Sequence, residues 1–380
     1  MIYLDNAASS YPKPPRVIEA VAGCLKEVAA SPGRGQHKMA LKAGRIVRDT
    51  RLRAARLLGA PDPADLVFTA NATEALNLAI QGWVRPGDRV VTTWVEHNSV
   101  YRPLEALAAE SGVTVELVRC DRTGRVDVED WRRRITAGTR LAVFAHASNA
   151  LGTIQPLEEL VEVAKEVGVP VLVDAAQSAG AIQVDIEVAG IDMLAFTGHK
   201  ALLGPQGTGG LYISPDLDLT ELKRGGTGTG SKGPQPLVRP DRYESGTYNT
   251  PGLAGLGAAL AFLSETTVSE VFGREQERIQ RLLAGLARIE RLEIHGPAPG
   301  EPRASLVSVS PGWASAAETA AALDRKYDIY VRSGWLCAPK AHELIGTETE
   351  GVLRLSPGFF STDEQIDEAV AALCELGRSA

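Results

Sequence analysis

Val171-Leu172-Val173-Asp174-Ala175-Ala176-Gln177, followed further on by Thr197-Gly198-His199-Lys200, is the stretch on which the fold turns. Its apolar side chains occupy consecutive positions and run straight into a carboxylate. A strand buried on both faces reads this way, because neither side of the sheet meets water. Similar runs recur at Leu66–Thr69, Val90–Thr93, Thr114–Val118, Leu141–Ala145, Met193–Thr197 and Gly210–Ile213, with helical patterns between them. The alternation predicts an α/β architecture: a mostly parallel seven-stranded sheet flanked by helices.

In open α/β sheets, ligands gather at the carboxyl ends of the strands. Asp174 is placed there. A carboxylate at that point suits a cationic ring nitrogen and would keep such a ring protonated. Gln177 is then placed to hydrogen-bond a ring oxygen. Lys200 ends the next strand and precedes a glycine-rich turn (Gly204, Gly207, Gly209). A free lysine titrates near ~10.4 and is a poor nucleophile until burial or a nearby cation lowers that value. Of the 40 basic residues only ten are lysines, and Lys26, Lys165, Lys223 and Lys326 sit in polar or helix-surface contexts. Taken singly, Asp174 reads equally as a helix N-cap and Lys200 as a loop lysine. Upstream, Asn71-Ala72-Thr73-Glu74 follows a strand end and opens a helix. Free N–H groups and the positive end of the helix dipole make such a start an anion site, to which Thr73 adds a hydroxyl; a merely well-capped helix has the same pattern. Gly226-Thr227-Gly228-Thr229-Gly230 lacks the following Lys-Ser/Thr of a nucleotide loop and the strand–turn–helix frame of a dinucleotide site, and reads as a loop.

Taken together, Asp174-x-x-Gln177 and Thr197-Gly198-His199-Lys200 resemble the cofactor signature of class V aminotransferases, a fold-type I pyridoxal-5′-phosphate (PLP) group. Tyr3-Leu4-Asp5-Asn6-Ala7-Ala8 resembles the group's opening strand, and Val95-Glu96-His97-Asn98 the segment whose histidine stacks on the ring. Ser148-Asn149-Ala150-Leu151-Gly152-Thr153 resembles its substrate-side asparagine loop. Glu244-Ser245-Gly246-Thr247-Tyr248-Asn249-Thr250 resembles the loop that reaches a neighbouring subunit's phosphate. The blocks keep their order along essentially the whole chain. The resemblance implies PLP on Lys200, with Asp174, Gln177 and His97 at the ring and Ala72, Thr73, Thr197 and His199 at the phosphate. Thr247 of a second subunit completes that site in a homodimer, and Asn6, Ala7, Asn149 and Arg354 lie on the substrate side.

Arg332-Ser333-Gly334-Trp335-Leu336-Cys337-Ala338-Pro339 chooses the reaction. Pro339 suits the first turn of a helix, which puts Cys337 just before a helix start, where a thiolate is favoured. Cys24 and Cys374 fall on apolar helix faces and read as core, and Cys120 falls in a turn without supporting context; Cys337 taken alone reads equally as a buried structural thiol. Val352-Leu353-Arg354-Leu355-Ser356 alternates like a half-buried strand, with Arg354 facing away from the two leucines. An arginine fork grips a carboxylate with two parallel hydrogen bonds. This block resembles the group II (Suf-type) cysteine desulfurases, in which a short loop carries the cysteine. One departure stands out: relatives often have histidine where this chain has Leu336, after Trp335, so a nearby proton donor is expected to be missing and the lip of the site to be more apolar. The resemblance implies conversion of L-cysteine to L-alanine, with sulfur held on Cys337 as a persulfide and passed to an acceptor protein. A selenocysteine lyase, a class V aminotransferase or, more remotely, an inactive PLP-fold scaffold are the alternatives.

The bulk properties agree with a two-domain enzyme. A chain of 380 residues, 44% hydrophobic, can bury a large core. The net charge of −7 and the lack of a basic patch argue against nucleic acid as a partner. No apolar stretch reaches the ~20 residues that span a bilayer, and no basic segment followed by an apolar run suggests a leader. Four scattered cysteines without CxxC spacing argue against a metal cluster or disulfide framework, so a cytoplasmic setting is expected. From about Gly225 to Gly257 the composition turns to Gly, Thr, Pro and Ser, which reads as an extended loop. A long amphipathic helix (Val271, Phe272, Ile279, Leu282, Leu283, Leu286) follows. The expected division is a large domain over 15–264 and a smaller α+β domain from 1–14 and 265–380, with the helix near Pro15–Ala29 packing beside the latter.

Overall fold

A computed structural model of the chain describes residues 1–33, 35–227 and 233–379. The chain opens with strand β1 (Ile2–Tyr3) and helices α1 (Pro15–Glu27) and α2 (Lys38–Leu58). Seven strands follow: β2 (Leu66–Thr69), β3 (Arg89–Thr93), β4 (Thr114–Val118), β5 (Thr139–Ala145), β6 (Val171–Asp174), β7 (Met193–Thr197) and β8 (Gly209–Ile213). Between them lie α3 (Ala72–Trp83), α4 (Asn98–Ser111), α5 (Val128–Arg134), α6 (Leu157–Glu166) and α7 (Ile186–Ala189). Helices α8 (Thr250–Thr266) and α9 (Val268–Leu286) lead to β9 (Leu292–His295), β10 (Val307–Pro311), α10 (Ala316–Tyr327) and β11 (Ile329–Tyr330). The chain closes with β12 (Arg332–Gly334), α11 (Pro339–Ile345), β13 (Val352–Leu355) and α12 (Asp363–Ser379).

The seven strands form one sheet in the order β2-β8-β7-β6-β5-β3-β4. Within it β8 alone runs antiparallel to its neighbours, β2 and β7. Successive side chains of the central strands enter two different cores. Phe144, Val173 and Phe196 pack on one face with α2, α5, α6 and α8, while Val143, Leu172 and Ala195 pack on the other with α3 and α4. This is why the strands read as unbroken apolar runs. All the parallel strands end on one side, and there the helix starts of α3 and α4 and the turns after β5, β6 and β7 converge.

A second sheet, antiparallel in the order β12-β13-β10-β9, has its own core, shared with β1, α9, α10 and α12. Three expectations need correction. First, β13 is buried on both faces: Leu353 and Leu355 enter the core of this second sheet, Val352 joins Leu336 and Ile345 in a small fourth cluster, and Arg354 is buried too. Second, the segment read as loop up to Gly257 becomes helix at Thr250. Third, α1 packs on α8, its Val17 entering the large core and Arg16 pairing with Glu265 at 2.8 Å. The Gly228–Gly230 part of the glycine-threonine run lies outside the described residues. Among the described residues no single helix is long and apolar enough to cross a membrane, and no group of three His, Cys, Asp or Glu side chains is arranged to hold a metal ion.

Candidate active site

A cavity opens at the carboxyl ends of the strands. Ala72, Thr73, His97, Asn149, Asp174, Gln177, Thr197, His199 and Lys200 all line it. Each is placed by a strand end or a helix start. Asn71 caps α3 by accepting from the Glu74 N–H at 2.9 Å, which leaves the first N–H groups of that helix facing the cavity. Gly209 permits this: a Cβ there would lie 2.7 Å from the Cα of Asn71.

The Lys200 amine is desolvated, which lowers its pKa to about 8 against the opposing pull of Asp174; Arg354 adds to the lowering. An amine near neutrality is a competent nucleophile and base. Asp174 is held above the usual carboxylate range by burial, opposed by the Ala176 N–H, 2.9 Å from Oδ1, and by the charge of Lys200. A cation at its side would relieve that cost.

His97 caps α4, its Nδ1 accepting from the Ser99 N–H at 3.0 Å. That bond leaves the ring proton on Nε2. Burial, then the positive charges of Lys200 and Arg102, lower its pKa to about 4, so the ring is neutral at pH 7. Ser99 Oγ lies 2.8 Å from His97 Nδ1 and 2.7 Å from Thr73 Oγ1, joining the starts of α3 and α4 in one hydrogen-bonded chain. Sequence reasoning missed Ser99; its signal was a hydroxyl two residues after a helix-capping histidine.

Two buried polar atoms at the cavity, Thr197 Oγ1 and His199 Nδ1, have no protein partner. Buried donors are rarely left this way. With Thr73 and the free N–H groups of α3 they form a set that fits a bound phosphate. Lys200 and Asp174 complete a set that fits PLP: an amine, a carboxylate for the ring nitrogen, and an anion cradle.

The substrate side is more heavily tied. Arg354 is buried and donates from Nη1 to the Asn149 carbonyl and from Nη2 to Asp5 Oδ1, each at 2.9 Å, while its Nε has no partner. Asn149 donates from Nδ2 to the Leu336 carbonyl at 2.5 Å. Asn6 is turned into the backbone, donating to Ser356 O and accepting from Tyr11 N. Gln177 donates to the Ala7 carbonyl at 3.0 Å, joining the two predicted walls. Cys337 is exposed and is not among the residues that line the cavity, but its charge reaches Lys200. Leu336 and Cys337 both have left-handed backbone, φ 50° and 57°. The turn is tethered twice, by Asn149 at Leu336 O and by the Asn98 N–H, 2.7 Å from Cys337 O. Leu336 points into the apolar cluster with Val95, Leu151 and Ile345, and Trp335 alone carries the apolar character expected at the lip. Of the other thiols, burial pushes Cys120, which packs against the same apolar cluster as Leu336, up to about 12, and pushes Cys24 upward. Thr247 sits in a separate depression with Glu74 and Lys223, anchored through Glu244, which pairs with buried Arg51 at 2.6 Å.

A doubly covered parallel sheet with a lysine and an aspartate at adjacent strand ends defines the fold-type I class of α/β enzymes. The family described as aminotransferase class-V matches residues 2–369, and the chain belongs to it. It is 36% identical over 374 residues to a probable cysteine desulfurase of Methanothermobacter thermautotrophicus, covering 96% of this chain and 92% of that protein. It is 32% identical to a cysteine desulfurase of Escherichia coli O127:H6, covering 100% of this chain and 94% of the other. Among solved structures, an apo cysteine desulfurase from Thermococcus onnurineus NA1 superposes with a TM-score of 0.94 at 32% identity, over 100% of this chain and 95% of that one. Family and relatives alike imply a PLP cofactor.

Proposed function

We propose that this chain is a PLP-dependent cysteine desulfurase that takes sulfur from L-cysteine onto Cys337 and releases L-alanine. The observation that carries the reading is the pairing of a desolvated Lys200 amine, beside Asp174 in the cavity, with the exposed Cys337 thiol within its electrostatic reach. Lys200 would hold PLP, Asp174 the ring nitrogen, Gln177 the ring oxygen and His97 the ring face; Ala72, Thr73, Thr197 and His199 would hold the phosphate. When bound, PLP supplies an electron sink for charge developing at the substrate Cα.

Lys200, near neutrality, takes the Cα proton and returns it. Arg354 and Asn149 hold the substrate carboxylate, bordered by Asn6 and Ala7. This requires Asn149 to exchange its bond to Leu336 for one to substrate. His97, neutral with its proton on Nε2, moves a proton at the substrate sulfur. The Cys337 thiolate attacks that sulfur: an S–S bond forms, the Cβ–S bond breaks, its electron pair stays on carbon, and a proton there completes the methyl group of alanine. A reduced Cys337 suits the cytoplasm. Thr247 of a second copy would complete the phosphate site, making the enzyme a homodimer. An acceptor protein would take the sulfur beside exposed Trp335.

The test is mass spectrometry of the Cys337 peptide after incubation with L-cysteine, where a gain of one sulfur is expected. Cys337→Ala should abolish sulfide release yet keep the Schiff-base absorbance near ~420 nm, which belongs to the coenzyme. Undiminished turnover in that variant overturns the persulfide step and leaves a lyase or aminotransferase.

A further inference from the structure

Among the described residues, Lys13 is the one lysine besides Lys200 whose pKa is lowered, to about 8, and burial is the cause. A lysine at a surface normally extends its ammonium into water. Lys13 instead turns inward between Pro12 and Pro14, whose rings restrict the backbone on either side. Its Nζ donates to Ser10 Oγ at 2.7 Å and to the His199 carbonyl at 2.9 Å. Among the described residues it forms no ion pair, so an ammonium is partly desolvated for the sake of two neutral oxygens, one of them on the peptide that precedes Lys200.

Ser10 works on the same turn. Its N–H donates to His199 O at 2.9 Å, and its Oγ to Lys200 O at 2.8 Å. The turn leaves β7 at Thr197 and is held on its inner side by Gly198 N–H to Thr208 O, at 2.7 Å. Its outer side, where Lys200 projects, belongs to no sheet or helix. There the Lys200 carbonyl has a local bond from Leu203 N–H, and the remaining bonds to the His199 and Lys200 carbonyls come from the segment around Ser9, Ser10 and Lys13. The charge of Lys13 also helps hold the His199 ring neutral.

We propose that Lys13 is a positioning residue: with Ser10 it clamps the carbonyls of His199 and Lys200, and so fixes the Lys200 amine and the His199 ring in the coenzyme cavity. The proposal rests on the reading that Lys200 carries PLP. It is tested on the full chain freed of coenzyme, using Lys13→Met, Lys13→Arg and Ser10→Ala. Two readouts are needed: amide hydrogen exchange of residues 199–203 without coenzyme, and the PLP dissociation constant from absorbance, with borohydride trapping to locate the adduct. Lys13→Met and Ser10→Ala should each speed exchange in that turn and weaken PLP by about tenfold, the scale of one charge-assisted hydrogen bond. Lys13→Arg should restore both. Unchanged exchange and unchanged PLP affinity in Lys13→Met overturn the clamp; should that variant not fold, the same result in Ser10→Ala overturns it. Wild-type protein that traps no PLP on Lys200 refutes the coenzyme reading, while exchange in the coenzyme-free chain still decides the clamp.

Discussion

Leu336 shows how one side chain decides between two readings of the cysteine turn. A histidine at this place would serve as a proton donor, and the sequence alone suggests an apolar lip in its stead. In the fold the side chain points inward, 5% exposed, among Val95, Leu151, Ile345 and Val352. Two successive non-glycine residues in the left-handed region each cost about 1–2 kcal/mol, so something must hold them there. Burial of Leu336 and the two backbone tethers provide that. Leu336→His would place an imidazole in the apolar cluster without a partner. The expected result is a lower Tm by calorimetry and no gain in persulfide formation at Cys337. A faster enzyme of unchanged Tm would mean that the turn can present residue 336 to the cavity. Leu336→Ala leaves a cavity worth about 2–5 kcal/mol. Its Cys337 should react faster with iodoacetamide, measured against Cys374 in the same sample.

At the scale of elements, the half-exposed edge strand β4 alternates, but the central strands were legible because they are buried on both faces, so their apolar runs are unbroken. Helix α8 was not. Its glycines gave it the composition of a loop, yet they serve close packing: a Cβ at Gly255 would lie 2.7 Å from Val21 of α1, and one at Gly257 2.5 Å from Thr50 of α2. The candidate site divides in the same way. Asp174, Gln177, His199 and Lys200 stand next to strand ends that the sequence marks, and they do line one cavity. The ties of Arg354 to Asp5, of Asn149 to Leu336 and of Lys13 to His199 join residues far apart in the chain, where no local pattern records them. The tie at Asn149 predicts how β12 and α11 are joined. Asn149→Ala removes a bond to the turn between them but leaves the Asn98–Cys337 bond. Amide exchange over residues 335–338 should rise about fivefold while β12 and β13 keep their protection, since a lost tether opens the turn locally. Unchanged exchange there would mean that the apolar cluster alone sets the turn.

For the whole molecule, the buried titratable groups set how stability responds to pH. His97, His146 and His199 each titrate near 4, chiefly through burial. The unfolded chain protonates them near ~6.5, so they cost stability as pH falls from there toward 4 and are silent above it. Glu96 and Glu275 behave oppositely. Burial raises both to about 8, so the folded protein keeps protons that the unfolded chain has released, and each loses stability as pH rises through that window. Between pH 7 and 7.5 the histidines are mostly neutral in both states, and Lys13 and Lys200, lowered to about 8, are still mostly protonated. The Tm of the coenzyme-free chain should therefore fall across that interval. Glu96→Gln and Glu275→Gln, which cannot ionise, should each flatten the fall, and the double variant should remove most of it. Glu96 abuts the site: its Oε1 accepts from the Ala145 N–H at 3.1 Å, and β5 pairs Ala145 with Asp174. Glu275, on α9, lines a neighbouring cavity with Asn6, Ala7, Gln177 and Lys200 but not the coenzyme cavity itself, so saturating with PLP should steady Asp174 through a cationic ring and leave the Glu275 carboxyl uncontacted. The Glu275 share of the pH slope should then survive coenzyme binding, and its disappearance would show that the two buried carboxyls are not independent.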